Sequence, residues 1–226
     1  MRDPLSSAQA IIEAALAGGA PACVTCSFQA EDVVLVDLLR RVRPDLPVLF
    51  LDTGYHFADV VEYRDQLAAL WNLNLVNLRA EMSVEQQESA FGILNQTDPA
   101  ACCHRRKVEP LMAGLAPYEL WFTGLRREQS PTRASLQPEE AHAFPNGLKL
   151  RKLSPLFDWS WVEVESYMTI NEIPVLPLYA KGYTSIGCEP CTDKPADGEH
   201  ARSGRWGGKK LECGLHTMST LEGAVK

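Results

Sequence analysis

Short apolar runs alternate with longer amphipathic stretches along the first two-thirds of the chain. The apolar runs are bounded by polar or turn residues and predict buried β-strands at 22–28, 47–54, 73–78, 118–125 and 148–156. The stretches with apolar residues at helical spacing predict α-helices at 31–42, 57–71, 84–93, 102–115 and 161–173. This alternation is typical of a mainly parallel sheet flanked by helices, so the predicted fold class is α/β.

Two of these helices have a polar signature at their start. Ser83 with Gln86, and Ser160 with Glu163, have the spacing of a capping box, in which two side chains satisfy backbone N–H groups at the helix start. Each pair stands directly before a run with helical periodicity. We therefore expect helices to begin at residues 84 and 161.

Three polar turns follow the predicted strands, at 27–32, 51–54 and 123–130. Because the carboxyl ends of parallel strands meet at one edge of a sheet, these turns are expected to form one ligand pocket. The first turn, "SFQAED", stands where nucleotide-binding α/β proteins place a loop around phosphate, but it contains no glycine. Taken alone, it is equally compatible with an ordinary serine-led helix start.

The character of the sequence changes near Gly182. The chain from there on is rich in glycine, proline and charge. We predict an α/β region over 1–181, and a Gly-rich tail over 182–226 that belongs to the same domain and is held by something other than a core.

The overall composition suits one globular domain, with 226 residues of which 46% are hydrophobic. No apolar run approaches the ~20 residues that span a bilayer. The N-terminal stretch carries Asp3 and Glu13 among its alanines, which predicts an amphipathic helix rather than a secretion signal. We expect a cytoplasmic protein with no membrane partner.

The formal net charge of -7 argues against general binding to nucleic acid. Positive charge is nevertheless clustered at 105–107, 126–127, 149–152 and 202–210. Basic clusters on an acidic protein suit a small anionic ligand, although for any single cluster a solvated surface is the simpler interpretation.

Seven cysteines in an intracellular chain favour metal or redox chemistry over disulfides. Cys188 and Cys191 form a C-x-x-C motif, and Cys102 and Cys103 are adjacent. Four such thiolates can hold one zinc ion or an iron–sulfur cubane. The cubane is favoured, because each of its thiolates binds a different iron and adjacent side chains diverge. Four unrelated buried cysteines remain the alternative.

The other three cysteines have different settings. Cys23 and Cys26 lie on a predicted strand and face opposite sides of it, so we expect them to be core residues. Cys213 stands near His216 and downstream of several basic residues, which favour a reactive thiolate. An incidental exposed cysteine is the alternative for this position.

Together these pieces resemble the PAPS/APS reductase family, and they are most similar to its assimilatory bacterial, iron–sulfur branch. The resemblance covers nearly the whole chain. It rests on the segments "SFQAED", "LDTGYHF", "CCHRRKVEPL", "TGLRREQSPTR", "CEPCT", "GRW" and "ECGLH". It implies an adenine-nucleotide α-hydrolase-like fold related to pyrophosphatase-loop enzymes. The first loop lacks the glycines of ATP-cleaving and sulfur-transfer relatives, which argues against those activities.

The resemblance also implies roles for individual residues. One [4Fe–4S] cluster per chain would be bound by Cys102, Cys103, Cys188 and Cys191. Cys213 would be the catalytic nucleophile, with Lys107 between cluster and substrate and His216 as a further catalytic residue. The residues that line the nucleotide and its sulfate would be Ser27, Gly124, Arg133, Arg202 and Arg205. His56, in the segment "LDTGYHF", receives no role.

The implied activity is reduction of adenosine 5'-phosphosulfate to sulfite and AMP through a Cys-S-sulfonate, in sulfate assimilation for cysteine biosynthesis. The implied reductant is a thioredoxin- or glutaredoxin-like dithiol protein. Two alternatives stay open: reduction of the 3'-phosphorylated substrate, and a zinc- or nucleotide-binding module without redox turnover. The sequence leaves open whether the chain forms a homo-oligomer.

Overall fold

One six-stranded sheet organises the part of the chain that the structure describes, residues 3–196 and 198–208 of a computed structural model. Its strands are β1 (Ala22–Thr25), β2 (Val48–Asp52), β3 (Leu75–Arg79), β4 (Leu120–Phe122), β5 (Glu139–Ala143) and β6 (Lys149–Leu153). The strand order is β3-β2-β1-β4-β6-β5. In this order, each of the first five strands is parallel to its neighbours among those five. Strand β5, at one edge, runs antiparallel to β6.

Helices connect and cover these strands. They are α1 (Pro4–Leu16), α2 (Ala30–Val42), α3 (Ala58–Trp71), α4 (Val84–Phe91), α5 (Leu94–Thr97), α6 (Pro99–Cys103), α7 (Glu109–Leu115) and α8 (Trp161–Ile170). A π-helical turn, His104–Val108, joins α6 to α7. Both expected capping boxes are present, at Ser83 and Ser160. No described helix has the length and apolar character needed to cross a membrane.

The sheet is packed on both faces because successive residues of a strand point to opposite sides. In β4, Phe122 enters the larger core, whereas Trp121 enters the smaller core with Leu111 of α7. Cys23 belongs to the smaller core and Cys26 to the larger, and both side chains are buried. The prediction that these two cysteines are core residues on opposite sides is confirmed.

Two features of the fold differ from the sequence-based expectation. Strand β5 was not predicted, because its sequence "EEAHA" lacks an apolar run. The edge position explains this composition, since charged side chains there stay in contact with solvent. The helix expected over 102–115 is divided by the π-helical turn at His104–Val108.

The described residues of 182–208, here called the C-terminal segment, fold back on themselves. The backbone N–H of Asp193 donates to Gly204 O at 2.8 Å, and Thr192 pairs with Arg205 in a short bridge. Ile186 is buried in the larger core. The expectation that this region is held by something other than a core is therefore wrong for Ile186.

Candidate functional site

A cavity of about 170 Å³ lies at the carboxyl ends of β1, β2 and β4. Residues from all three polar turns, 27–32, 51–54 and 123–130, line it. The prediction that these turns share one pocket is confirmed. The cavity is also lined by the residues that the resemblance links to nucleotide and sulfate, namely Ser27, Gly124, Arg133, Arg202 and Arg205.

One end of this cavity is formed around the carboxylate of Asp32. Its Oδ2 accepts hydrogen bonds from the backbone N–H of Ser27 at 2.7 Å and from the Ser27 hydroxyl at 2.6 Å. Gly124 approaches so closely that a Cβ there would clash with Asp32. Burial, and then the neighbouring charge of Glu31, raise the pKa of Asp32 to about 6 against the opposing effect of the Ser27 hydrogen bonds.

This raised pKa predicts a loss of stability as the pH rises. The folded chain holds the Asp32 proton more tightly than the unfolded chain, whose pKa is near 3.8. Below about pH 4 the Asp32 carboxyl group does not lower the free energy of unfolding. Above about pH 6 it lowers that free energy by its full amount, up to about 3 kcal/mol. Asp32→Asn should therefore raise the midpoint of urea unfolding at about pH 7 and change it little at about pH 4.

The control for this experiment is Asp45→Asn, because the Asp45 carboxylate is 81% exposed. Its effect on the midpoint should be small and similar at both pH values. An Asp32→Asn effect of equal size at both pH values would contradict the expectation.

Another end of the cavity is cationic and includes Cys188. Burial alone would raise the pKa of the Cys188 thiol, but the charges of Lys107 and Arg205 and a hydrogen bond with Thr53 bring it below its ordinary value. The Thr53 Oγ1 and Cys188 Sγ atoms are 3.3 Å apart. A ligand that carries an anionic group matches the cationic surroundings of Cys188.

A second, smaller cavity of about 10 Å³ brings both thiol pairs together. Cys102 and Cys103 line it from α6, and Cys188 and Cys191 line it from the C-terminal segment. Lys107 and Cys188 line both cavities, so the two cavities are neighbours. The four thiols thus surround one volume beside the cationic end of the larger cavity.

The chemistry of these thiols fits an iron–sulfur cluster. All four are free cysteines, and thiolate sulfur is the ligand that such clusters use. Burial, followed by the nearby Cys103 and Cys188, raises the pKa of Cys102 to about 11, so a cation is needed to hold four thiolates so close. No three His, Cys, Asp or Glu side chains within the described ranges are arranged around a single ion site.

The local sequence explains how the first thiol pair is presented. Asp98 caps α6, because its Oδ1 accepts hydrogen bonds from the backbone N–H groups of Ala100 and Ala101 at 3.1 and 3.0 Å. The π-helical turn that follows carries the buried side chain of Arg106. Its guanidinium donates to Thr53 O, in the turn after β2, and to Gln87 Oε1 of α4. The first thiol pair is thereby tied to the turn after β2.

The same turn holds the second thiol pair. The backbone N–H of Glu189, between Cys188 and Cys191, donates to Tyr55 O at 2.7 Å. His56 and Cys188 also form an antiparallel bridge. Residues 53–56 therefore connect the two segments that carry the thiol pairs, through Arg106 on one side and Cys188 and Glu189 on the other.

Some lining residues had not been identified from the sequence. Asp32, Gln29, Thr53, His56 and Trp206 all line the larger cavity. Asp32 and Gln29 are part of "SFQAED", and Thr53 and His56 are part of "LDTGYHF", so the motifs were recognised but these members were not. The His56 ring packs against Phe50, with 4.7 Å between ring centroids.

Two predicted catalytic residues, Cys213 and His216, lie outside the described residues. Their roles stay predictions. Cys26 and Cys188 are the cysteines of the described part that line the larger cavity. Burial, and then the charge of Asp32, raise the pKa of Cys26 well above its ordinary value, which makes its thiol a poor nucleophile.

Comparison with known proteins gives consistent matches. The family model for the phosphoadenosine phosphosulfate reductase domain matches residues 21–194. An adenosine 5'-phosphosulfate reductase of Rhodococcus opacus is 47% identical over 188 residues, which are 82% of this chain and 75% of that protein.

Solved structures match in fold. A phosphoadenylyl-sulfate reductase from Candida auris, in a phosphate complex, has a TM-score of 0.69 at 23% identity and covers 81% of this chain and 88% of its own. The FMN adenylyltransferase of Candida glabrata has a TM-score of 0.63 at 16% identity, with 82% and 60% covered. The fold is that of the adenine-nucleotide α-hydrolase-like proteins.

Proposed function

Since the chain belongs to the phosphoadenosine phosphosulfate reductase domain family, we propose that it reduces adenosine 5'-phosphosulfate to sulfite and AMP. The name of its relative at 47% identity supports this substrate. The observation that carries the proposal is the contact between two cavities, one suited to an anionic nucleotide and one surrounded by four thiols, which share Lys107 and Cys188. The reaction would serve sulfate assimilation for cysteine biosynthesis in the cytoplasm.

The cofactor of this proposal is one [4Fe–4S] cluster. The thiols of Cys102, Cys103, Cys188 and Cys191 would hold it. When bound, the cluster supplies a structural link between α6 and the C-terminal segment and a local electrostatic field, rather than electrons. Lys107 would then contribute positive charge at the boundary between the cluster and an anionic substrate.

Binding of the substrate would use the charge distribution of the larger cavity. The nucleoside would lie toward Ser27 and Asp32, whereas the phosphate and sulfate would lie toward Arg205 and Arg202. Charge-assisted hydrogen bonds from a guanidinium to such oxygens contribute about 1.5–3 kcal/mol each. Arg133, whose charge lowers the pKa of Asp32, lies nearer the carboxylate end.

The chemical step is assigned to Cys213 by resemblance. Its thiolate would attack the sulfur of the sulfate group, forming an S–S bond while the bond from sulfur to the AMP oxygen breaks and AMP leaves. The cationic side chains Lys107 and Arg205 would offset the repulsion between thiolate and sulfate and stabilise the charge that grows on AMP. His216 is the further candidate for proton transfer in this region.

The reduction is completed by an external dithiol. One thiolate of a thioredoxin- or glutaredoxin-like protein would attack Cys213 sulfur and release sulfite, leaving a mixed disulfide. The second thiol of the same protein would break that disulfide, which returns Cys213 as a thiol and oxidises the dithiol by two electrons. We propose residues 182–226 as the catalytic and cluster-binding part of the single domain.

A substrate comparison tests the proposed function. We expect sulfite formation from adenosine 5'-phosphosulfate with reduced thioredoxin, at a kcat/KM at least tenfold above that for the 3'-phosphorylated form, or about 1.4 kcal/mol in transition-state binding. Equal or greater efficiency with the 3'-phosphorylated substrate would reassign the substrate. Nucleotide binding without any sulfite formation would instead favour a binding module.

A further inference from the structure

The side chain of Gln29 joins the nucleotide turn to the C-terminal segment. Its Oε1 accepts a hydrogen bond from the backbone N–H of Ile186 at 2.8 Å, and its Nε2 donates to Ser27 Oγ at 3.1 Å. Gln29 is the N-cap residue of α2, yet its side chain makes no hydrogen bond to that helix. The carboxamide is therefore used for a contact between residues 157 positions apart.

On the Ile186 side, the contact leads directly to a cationic side chain of the cavity. Gly187 follows Ile186 and packs so tightly on the Arg205 guanidinium that a Cβ at Gly187 would clash with it. The Gly187 N–H donates to Thr192 Oγ1 at 3.2 Å, and Thr192 pairs with Arg205 in the short bridge. A shift of the backbone at Ile186 would therefore move Arg205.

On the Ser27 side, the contact leads to the carboxylate end of the cavity. The Ser27 hydroxyl accepts from Gln29 and donates to Asp32. A second link from the start of α2 leads to Tyr179, which precedes the C-terminal segment, because the Tyr179 hydroxyl accepts from the backbone N–H of Ala30 at 3.1 Å. The Gln29 carboxamide is the link that lines the cavity itself.

We propose that Gln29 is a positioning residue, which sets the separation between the Ser27 turn and the Arg205 guanidinium and so fits the cavity to a nucleoside that carries a phosphate. The proposal rests on the proposed function for its ligand class, a nucleoside 5'-phosphate. It goes further by assigning a role to a residue that touches neither reacting sulfur nor cluster thiol. This role requires a side chain as long as that of glutamine, with a hydrogen-bond donor for Ser27 and an acceptor for the Ile186 N–H.

Asparagine separates positioning from stability at this site. Asparagine is among the preferred N-cap residues, so Gln29→Asn can cap α2 and is expected to leave the melting temperature unchanged or higher. Its carboxamide is one methylene shorter and cannot span from Ser27 to Ile186. The variant therefore keeps the helix start while it removes the bridge.

The experiment measures adenosine and AMP binding by calorimetry on the complete protein, prepared anaerobically. The ratio of the two dissociation constants reports the gain in affinity from the phosphate group. For Gln29→Asn we expect this ratio to fall about tenfold while the dissociation constant for adenosine stays within about threefold, because the nucleoside end is intact. Gln29→Met, which loses both hydrogen bonds, should show the same selective loss.

Three controls define the result. Arg205→Ala should remove most of the phosphate gain, because it deletes the guanidinium itself. Ser27→Ala removes the acceptor of the Gln29 Nε2 hydrogen bond as well as a donor to Asp32, so it should lower the ratio as Gln29→Asn does and, unlike Gln29→Asn, also weaken adenosine binding. Gln66→Asn makes the same chemical change on the exposed face of α3, where the Gln66 amide bonds only with Glu62 among the described contacts, and should change neither constant.

The outcomes distinguish this inference from the proposed function. A Gln29→Asn variant that keeps the phosphate gain within about threefold, or that loses adenosine and AMP affinity in parallel with its melting temperature, overturns the positioning role alone. A wild-type protein that binds AMP no more tightly than adenosine overturns both the positioning role and the proposed ligand.

Discussion

Replacing Cys213 by serine is expected to lower sulfite formation to less than about one thousandth of the wild-type rate. A serine hydroxyl is a far weaker nucleophile than a thiolate. Of the two described cysteines that line the larger cavity, Cys188 is a proposed iron ligand and is not available as a nucleophile. Cys26 lines the cavity, but its raised pKa keeps it protonated. The measurement is sulfite release from adenosine 5'-phosphosulfate with reduced thioredoxin, together with AMP affinity, which should stay within about threefold of wild type.

The covalent intermediate supplies the direct check on this assignment. Substrate labelled in its sulfate and added without reductant should leave one sulfonate per chain, located by mass spectrometry on the peptide that contains Cys213. The matched variant Cys26→Ala should still acquire this label. Label on any other cysteine, or sulfite from the Cys213→Ser protein, would refute the assignment.

Replacing Cys188 by alanine is expected to have the second largest effect. The thiol contacts Thr53 and lines both cavities, so its loss removes one of the four proposed iron ligands and the link between α6 and the C-terminal segment. Iron content should fall below about a tenth of wild type, with loss of the brown colour and of sulfite formation. AMP affinity should fall as well, because Arg205 belongs to the same segment.

The matched control is Cys23→Ala, which removes a buried thiol of the smaller core that lines neither cavity. This variant should keep its iron and its AMP affinity, although some stability is lost with the buried sulfur. Iron retention by Cys188→Ala would contradict the proposed ligand set. So would elemental analysis of the wild-type protein that finds zinc and no iron after anaerobic preparation.

Much of the larger cavity was predictable because it follows from topology. Parallel strands end at one edge, so the turns after β1, β2 and β4 had to meet there, whatever their detailed sequence. The opposite orientations of Cys23 and Cys26 followed from the two-residue period of a strand. These predictions use periodicity, which a single sequence records directly.

The features that were not predicted depend on contacts between distant residues. Strand β5 is polar because it lies at an edge, and its pairing with β6, for example His142 with Leu150, carries no apolar signature. Ile186 is buried in the larger core of the sheet, although its own segment contributes no strand to that sheet. The hydrogen bond from Ile186 to Gln29 cannot be predicted from either local sequence, because each segment alone has the pattern of an ordinary loop or helix start.

The separation of the two thiol pairs along the chain has a consequence for biosynthesis. Cys188 lies 85 positions after Cys103, and β4, β5, β6 and α8 come between them. A nascent chain emerges from the ribosome with its N-terminal part first. Any cofactor that needs all four thiols can therefore be inserted only after Cys191 has been synthesised, so the supply of cofactor can govern the yield of cofactor-loaded protein without affecting the earlier assembly of the sheet.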